Sequence, residues 1–175
     1  MPFTTSTDIK AASDKAMAKE ASLKPGSVNQ LDQSPIHQLH RAGQCAADIF
    51  QAEMGLDDLT PRQYAVLLTV SQNEGLSQTQ LVDKTGIDRS TLADIVRRML
   101  KKGLLSRRRT REDARAYAVK LTDEGWRSLK AADPVAKRVD ERILSALPAQ
   151  QRDRFLSDLN MIVQALGKFR DNATA

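Results

Sequence analysis

The chain has 175 residues, of which 41% are hydrophobic and 28% charged, with a net charge of +5. That size suits one domain carrying helical extensions, and the composition is that of a packed globular chain rather than a disordered one. No apolar run reaches the roughly 20 residues of a membrane span, Met1 to Lys24 holds no apolar signal core, and the single cysteine, Cys45, excludes a disulfide framework or a cysteine-built zinc cluster within one chain. The expectation is a cytoplasmic protein with no membrane partner.

Residues 1–33 read as a flexible or weakly helical tail, polar and interrupted at Lys24-Pro25-Gly26-Ser27. Ser34-Pro35 begins the first helix, with Ser as N-cap and Pro in the first turn. Ile36, Leu39, Gly43, Ala46, Ala47 and Phe50 then recur at helical spacing until Met54-Gly55. Thr60-Pro61 begins a second helix that runs through Tyr64, Val66, Leu67 and Val70 and stops near Asn73-Glu74-Gly75. Ser77 caps a short third helix closed by Gly86. Asp88 or Ser90 caps a fourth, whose buried stripe is Leu92, Ile95, Val96, Met99 and Leu100 and which ends at Gly103. A short helix, a glycine turn and a longer helix with a basic face form a helix-turn-helix.

Leu104 to Arg109 and Ala116 to Leu121 have the length and partial alternation of two strands around a charged tip, which predicts a β-hairpin wing. Thr122 caps a fifth helix with Glu124 in its first turn; Pro134 is expected to kink or break it before Leu147-Pro148. A sixth helix carries Phe155, Leu156, Leu159, Ile162, Val163, Leu166 and Phe169. The predicted fold is mainly α with a small β-hairpin wing, a winged helix-turn-helix core (58–121) flanked by helices from both chain ends (34–57 and 122–170), with a short tail over 171–175. The apolar stripes of the flanking helices exceed what so small a core can cover, which predicts a two-fold homodimer built from them.

The positive charge is concentrated. Between Lys84 and Lys120 stand twelve basic residues against four acids, so this stretch carries +8 and the rest of the chain −3. A one-signed stretch of this kind is the electrostatic footprint of a nucleic-acid binder.

Several short motifs stand in order at fixed spacing: Leu59-Thr60-Pro61-x-Gln63-Tyr64-x-x-Leu67, Asp88-Arg89-Ser90-Thr91-Leu92, Lys102-Gly103-Leu104-Leu105, the wing motif Asp113-Ala114-Arg115, and Val119-Lys120-Leu121-Thr122-x-x-Gly125. Together they make residues 35–168 resemble the MarR (multiple-antibiotic-resistance) family of regulators. The resemblance implies a homodimer on double-stranded DNA, often a repressor, often released by a small phenolic or other aromatic effector.

In such a protein only the first turns of the recognition helix enter the major groove, where Arg89, Ser90 and Thr91 stand. Arg89 is the candidate for guanine, with a phosphate contact as the alternative. Ser77, Gln78 and Thr79, opening the preceding helix, are candidates for phosphate. In the wing, Arg115 would enter a narrow minor groove with Asp113 fixing its guanidinium, while Arg107, Arg108, Arg109 and Arg111 would meet phosphates. The operator is expected to be a near-palindrome with half-sites one helical turn apart.

Candidate effector contacts are His40, Arg41 and Gln44 facing Arg62 or Tyr64, a set suited to an aromatic acid or its CoA ester. Cys45 lies more than two turns beyond the position used by peroxide-sensing relatives and reads as a buried helix residue; a redox-sensing regulator acting through Cys45 is the alternative. His37 and His40, three apart, are too few for a metal site on their own, and no cofactor is expected. With no nucleophile elbow, phosphate loop or nucleotide fingerprint, the chain does not read as an enzyme. A non-specific architectural winged-helix protein is the remaining alternative.

Overall fold

The computed structural model describes residues 29–55, 59–73, 75–109 and 117–172. A 3-10 turn over Gln30–Gln33 precedes α1 (Pro35–Met54), α2 (Pro61–Gln72), α3 (Gln78–Thr85), α4 (Arg89–Lys101), strands β1 (Leu105–Arg109) and β2 (Tyr117–Leu121), α5 (Asp123–Ser145) and α6 (Ala149–Asn172). The chain forms two compact units divided between Arg41 and Ala42, inside α1. In the first unit the 3-10 turn is capped by Asn29, Gln38 donates to the Asp32 carbonyl at 3.1 Å, and Arg41 approaches Asp32 at 3.9 Å.

Helix starts follow local chemistry. Thr60 and Gln63 form a reciprocal capping box at α2, each side chain accepting from the other's backbone N–H. Ser77 and Gln80 repeat it at α3. At α4 the structure selects Asp88 over Ser90 as the cap: Asp88 Oδ1 accepts from Thr91 N–H at 2.9 Å. The turn between α3 and α4 passes through Gly86 at φ 68°, the left-handed conformation that glycine adopts without steric cost.

The main core gathers one face of α2, α3 and α4 and the start of α5, through Leu129 and Ala132, with the base of the hairpin. Val66, Leu67, Leu81, Leu92, Val96, Met99 and Val119 are almost wholly removed from solvent, each contributing roughly 1.5–3 kcal/mol of transfer free energy. β1 and β2 pair antiparallel, Leu105 opposite Leu121 and Arg109 opposite Tyr117. An isolated bridge joins Ser77 to Ala118, and Val119 donates to the Leu76 carbonyl at 3.1 Å, so the wing is stitched to the start of α3. A smaller cluster of Phe50, Val135, Ala136 and Val139 ties α1 to α5, with Met54 and Tyr64 touching both clusters.

Three expectations need correction. Of the kink or break expected at Pro134, the break does not occur: α5 is continuous from Asp123 to Ser145. Pro134 sits on its exposed side, where water can satisfy the carbonyl its missing N–H leaves free. Cys45 is exposed, not buried, because α1 turns Ala46, Ala47, Ile49 and Phe50 inward and leaves Cys45 off that face. The first strand starts one residue later than expected, at Leu105, while Ala116, the expected start of the second, lies outside the described residues. Of the tail expected over residues 1–33, residues 1–28 lie outside the described residues and Gln30–Gln33 form the 3-10 turn; of that expected over 171–175, the last helix runs through Asn172 and residues 173–175 lie outside the described residues.

The sixth helix contrasts with the rest. No described side chain of α6 is buried, although Phe155, Leu156, Ile162, Val163, Leu166 and Phe169 all face outward. With the half-buried Leu159, positions 155, 159, 162, 166 and 169 alternate steps of four and three, the spacing of a helical seam.

Candidate nucleic-acid interface and effector cleft

The candidate recognition element is α4. It buries Leu92, Ile95, Val96 and Met99, leaving Arg89, Ser90, Ala93 and Arg97 exposed on the opposite side. Asp88 closes its first turn with both the Thr91 N–H and the Ser90 hydroxyl, which donates to Asp88 Oδ1 at 2.7 Å. The Thr91 side chain first, then these two bonds, hold the Asp88 carboxyl far below the usual carboxylate range, and the charge of Arg62 acts in the same direction. Ser90 therefore spends its hydrogen on Asp88 and turns lone pairs outward, while the exposed Arg89 stays available as a donor. Thr91 is half-buried. Further along, Asp94 bridges Arg97 and Arg98, so two of the exposed guanidinium groups are oriented before any ligand arrives.

Ser77 Oγ accepts from Gln80 N–H at 3.3 Å; beside it Gln78 is half-buried and Thr79 exposed. Arg107 is exposed on β1. Arg109 belongs to β1 by its backbone, and the wing-tip candidates Arg111, Asp113 and Arg115 lie outside the described residues.

One constellation holds the wing base. Thr122 Oγ1 donates to the Gly103 carbonyl at 2.6 Å, and Thr122 N–H donates to the Leu104 carbonyl at 3.2 Å. Thr122 Oγ1 also accepts from Gly125 N–H at 3.0 Å. Gly125 is packed so tightly that a Cβ there would fall on the Leu104 carbonyl oxygen, well inside van der Waals contact. The first turn of α5 is thus clamped onto the turn joining α4 to β1.

A cleft of about 220 Å³ opens over the smaller cluster, floored by Phe50 and Tyr64 and walled by Ala46, Ala47, Ala136 and Val139, with Asp140 at its edge. The two rings stand 5.9 Å apart at 45°. Tyr64 donates its hydroxyl to Asp133 Oδ1 at 3.1 Å, and Lys137 holds the other oxygen at 2.8 Å. Burial first, then this bond, pushes the Tyr64 phenol up to about 12.

Sequence comparisons agree with this geometry. The sequence model of the MarR family matches residues 57–116, which span α2 to the wing. The transcriptional regulator HosA of Escherichia coli O127:H6 is 36% identical over 120 residues, covering 69% of this chain and 87% of HosA. The chain belongs to the MarR family. Among solved structures, the PcaV regulator of Streptomyces coelicolor, in complex with its natural ligand, superposes with a TM-score of 0.72 at 30% identity, over 81% of this chain and 99% of PcaV. The transcriptional repressor CouR bound to a 23-mer DNA duplex gives a TM-score of 0.71 at 29% identity, over 80% of this chain and 99% of CouR. CouR has also been solved with p-coumaroyl-CoA.

MarR motifs visible in the sequence thus acquire physical content: Thr60-x-x-Gln63 is a capping box, and Thr122-x-x-Gly125 is the clamp. Of the five expected effector contacts, Tyr64 lines the cleft. Gln44 is exposed and donates to Asp48 Oδ1 at 3.1 Å, and the exposed Arg62 acts on Asp88 at the reading helix. His40 and Arg41 are exposed residues of the first unit. Sequence reasoning missed Ala93 and Arg97 on the exposed face of α4, Asp94 between its arginines, and Asp133 and Asp140 near Tyr64. The Asp94 spacing to Arg97 and Arg98, three and four residues on, was the available signal for the first group.

Proposed function

We propose that the chain is a homodimeric, operator-specific repressor released by a small aromatic effector. The observation that carries the proposal is α4: a buried stripe on one side, and on the other Arg89, Ser90 and Ala93 at its N-terminal end, inside the stretch that carries +8. Arg89, Ser90 and Thr91 read base edges in the major groove, Arg89 by its bidentate fork. Ser77, Gln78 and Thr79 set the register on phosphates. In the wing, Arg115, held by Asp113, enters the minor groove, while Arg107, Arg109 and Arg111 add phosphate contacts.

Dimerisation rests on the uncovered apolar seam of α6, with Ile36 and Leu39 exposed on α1 as a second contribution. Two heads related by a two-fold axis take half-sites about 34 Å apart, hence a near-palindromic operator. Repression is supported by the description of CouR as a repressor. An aromatic ligand wedged between Phe50, Tyr64 and α5 shifts α5, and the Thr122–Gly125 clamp carries the shift to the reading head, lowering the population of the DNA-competent form. The protein works by binding rather than catalysis, on DNA in the cytoplasm.

A mobility-shift titration of the gene's own upstream region against random DNA of equal length tests this reading. A specific complex at least about a hundredfold tighter than the random one is expected; equal affinity would leave only an architectural role.

A further inference from the structure

The cleft over Phe50 and Tyr64 has a chemical bias that its relatives' ligands do not anticipate. Its lining contains no Lys, Arg or His among the described residues; the one charged group is Asp140. The neighbouring carboxylate, Asp133, is engaged twice, by the Tyr64 hydroxyl and by Lys137. Asp140 is engaged by nothing: among the described residues it accepts no hydrogen bond and forms no ion pair. Asp140 is exposed at the rim of the cleft, and partial desolvation beside the apolar lining pushes its carboxyl upward. Its charge also reaches the Tyr64 phenol. An aromatic carboxylate entering here would add a second negative charge beside one that has no counter-ion. A protonated amine would supply the missing partner, while its ring covered Phe50 and Tyr64. At about 220 Å³ the space holds one substituted ring.

We propose that this cleft binds a single-ring aromatic amine, its ring against Phe50 and Tyr64 and its ammonium on Asp140, in preference to an aromatic carboxylate. The inference rests on the effector reading above and replaces the anionic effector expected from the sequence with a cationic one. The expectation of an acid relied on Arg41, His40 and Arg62, none of which contributes to the lining.

The test is calorimetric titration of the full chain with 2-phenylethylamine and with 3-phenylpropanoate, which share a skeleton and differ in charge. The wild type is expected to bind the amine about tenfold or more tightly than the carboxylate, and Asp140→Asn to abolish that preference. Asp140 is exposed, so this variant keeps the fold, which circular dichroism verifies. Ala47→Trp, filling the cleft, is expected to remove binding of the amine. A carboxylate bound as tightly as the amine, or a preference surviving Asp140→Asn, overturns the inference. If the carboxylate binds and Ala47→Trp blocks it, the effector reading stands while the amine assignment fails. If neither compound binds, both fail.

Discussion

The winged core and the sixth helix are built from similar residues and meet opposite fates. In the core, Leu81, Leu92, Val96 and Met99 find partners within the same chain, and every helix start there has a capping side chain. In α6, Phe155, Leu156, Ile162, Val163, Leu166 and Phe169 are of the same chemical kind, yet they remain in water. The difference is one of supply. The core is closed by four helices and a hairpin, whereas among the described residues no element covers the α6 seam. A core that is packed within one chain and a helix whose apolar seam is left uncovered make different contributions under the dimer proposal, and single substitutions can separate them.

The largest effect is expected on the α6 side. Replacing Ile162 and Leu166 together with Asp should leave the fold of the core intact, yet yield monomers and weaken operator binding by about a hundredfold or more, because the two heads no longer bind as a linked pair. Sedimentation velocity and fluorescence anisotropy would report the two losses, and a monomer that keeps full affinity would remove the seam from the mechanism. The core should respond differently. Gly125→Ala drives a methyl group into the Leu104 carbonyl and is expected to cost about 2 kcal/mol of stability, read as a lower urea midpoint with the dimer still formed. A midpoint equal to wild type would show that the clamp yields.

Smaller effects belong to the DNA face. Arg115→Ala should weaken the operator complex by about tenfold and flatten its dependence on salt by roughly one phosphate contact; unchanged affinity at physiological salt would remove the minor-groove role. Smallest is the cap of α4. Because Thr91 and Ser90 hold the Asp88 carboxyl below its ordinary range, its charged form stabilises the fold above about pH 4, and that contribution fades as pH falls below the unfolded value. Asp88→Asn keeps a side chain able to cap and should flatten the acid limb of the stability curve. An unaltered acid limb would assign it to other carboxylates.

Much of this architecture is legible in the sequence because its signals are local. Ser34-Pro35, Thr60-Pro61, Ser77 and Thr122 mark helix starts with capping chemistry that needs no knowledge of the fold, and the apolar stripe of α4 is a matter of period. Pro134 left a kink or a break open for a physical reason: whether a proline ends a helix depends on whether solvent reaches the orphaned carbonyl, which is a tertiary property. Cys45 misled similarly, since the inward face of α1 is set by what α5 presents to Phe50. The cleft was the least legible. Tyr64 and Asp133 are 69 residues apart and meet only in the fold, and nothing in the local sequence sets Asp140, rather than a cation, beside an aromatic floor.

The central claim is that two reading heads, joined through α6, act on one piece of DNA. Sedimentation velocity of the full chain with a duplex selected for tight binding measures this directly. The account predicts two chains per duplex, on half-sites one helical turn apart, with the complex lost when Ile162 and Leu166 are replaced. One chain per duplex at full affinity, unaffected by those replacements, would contradict it.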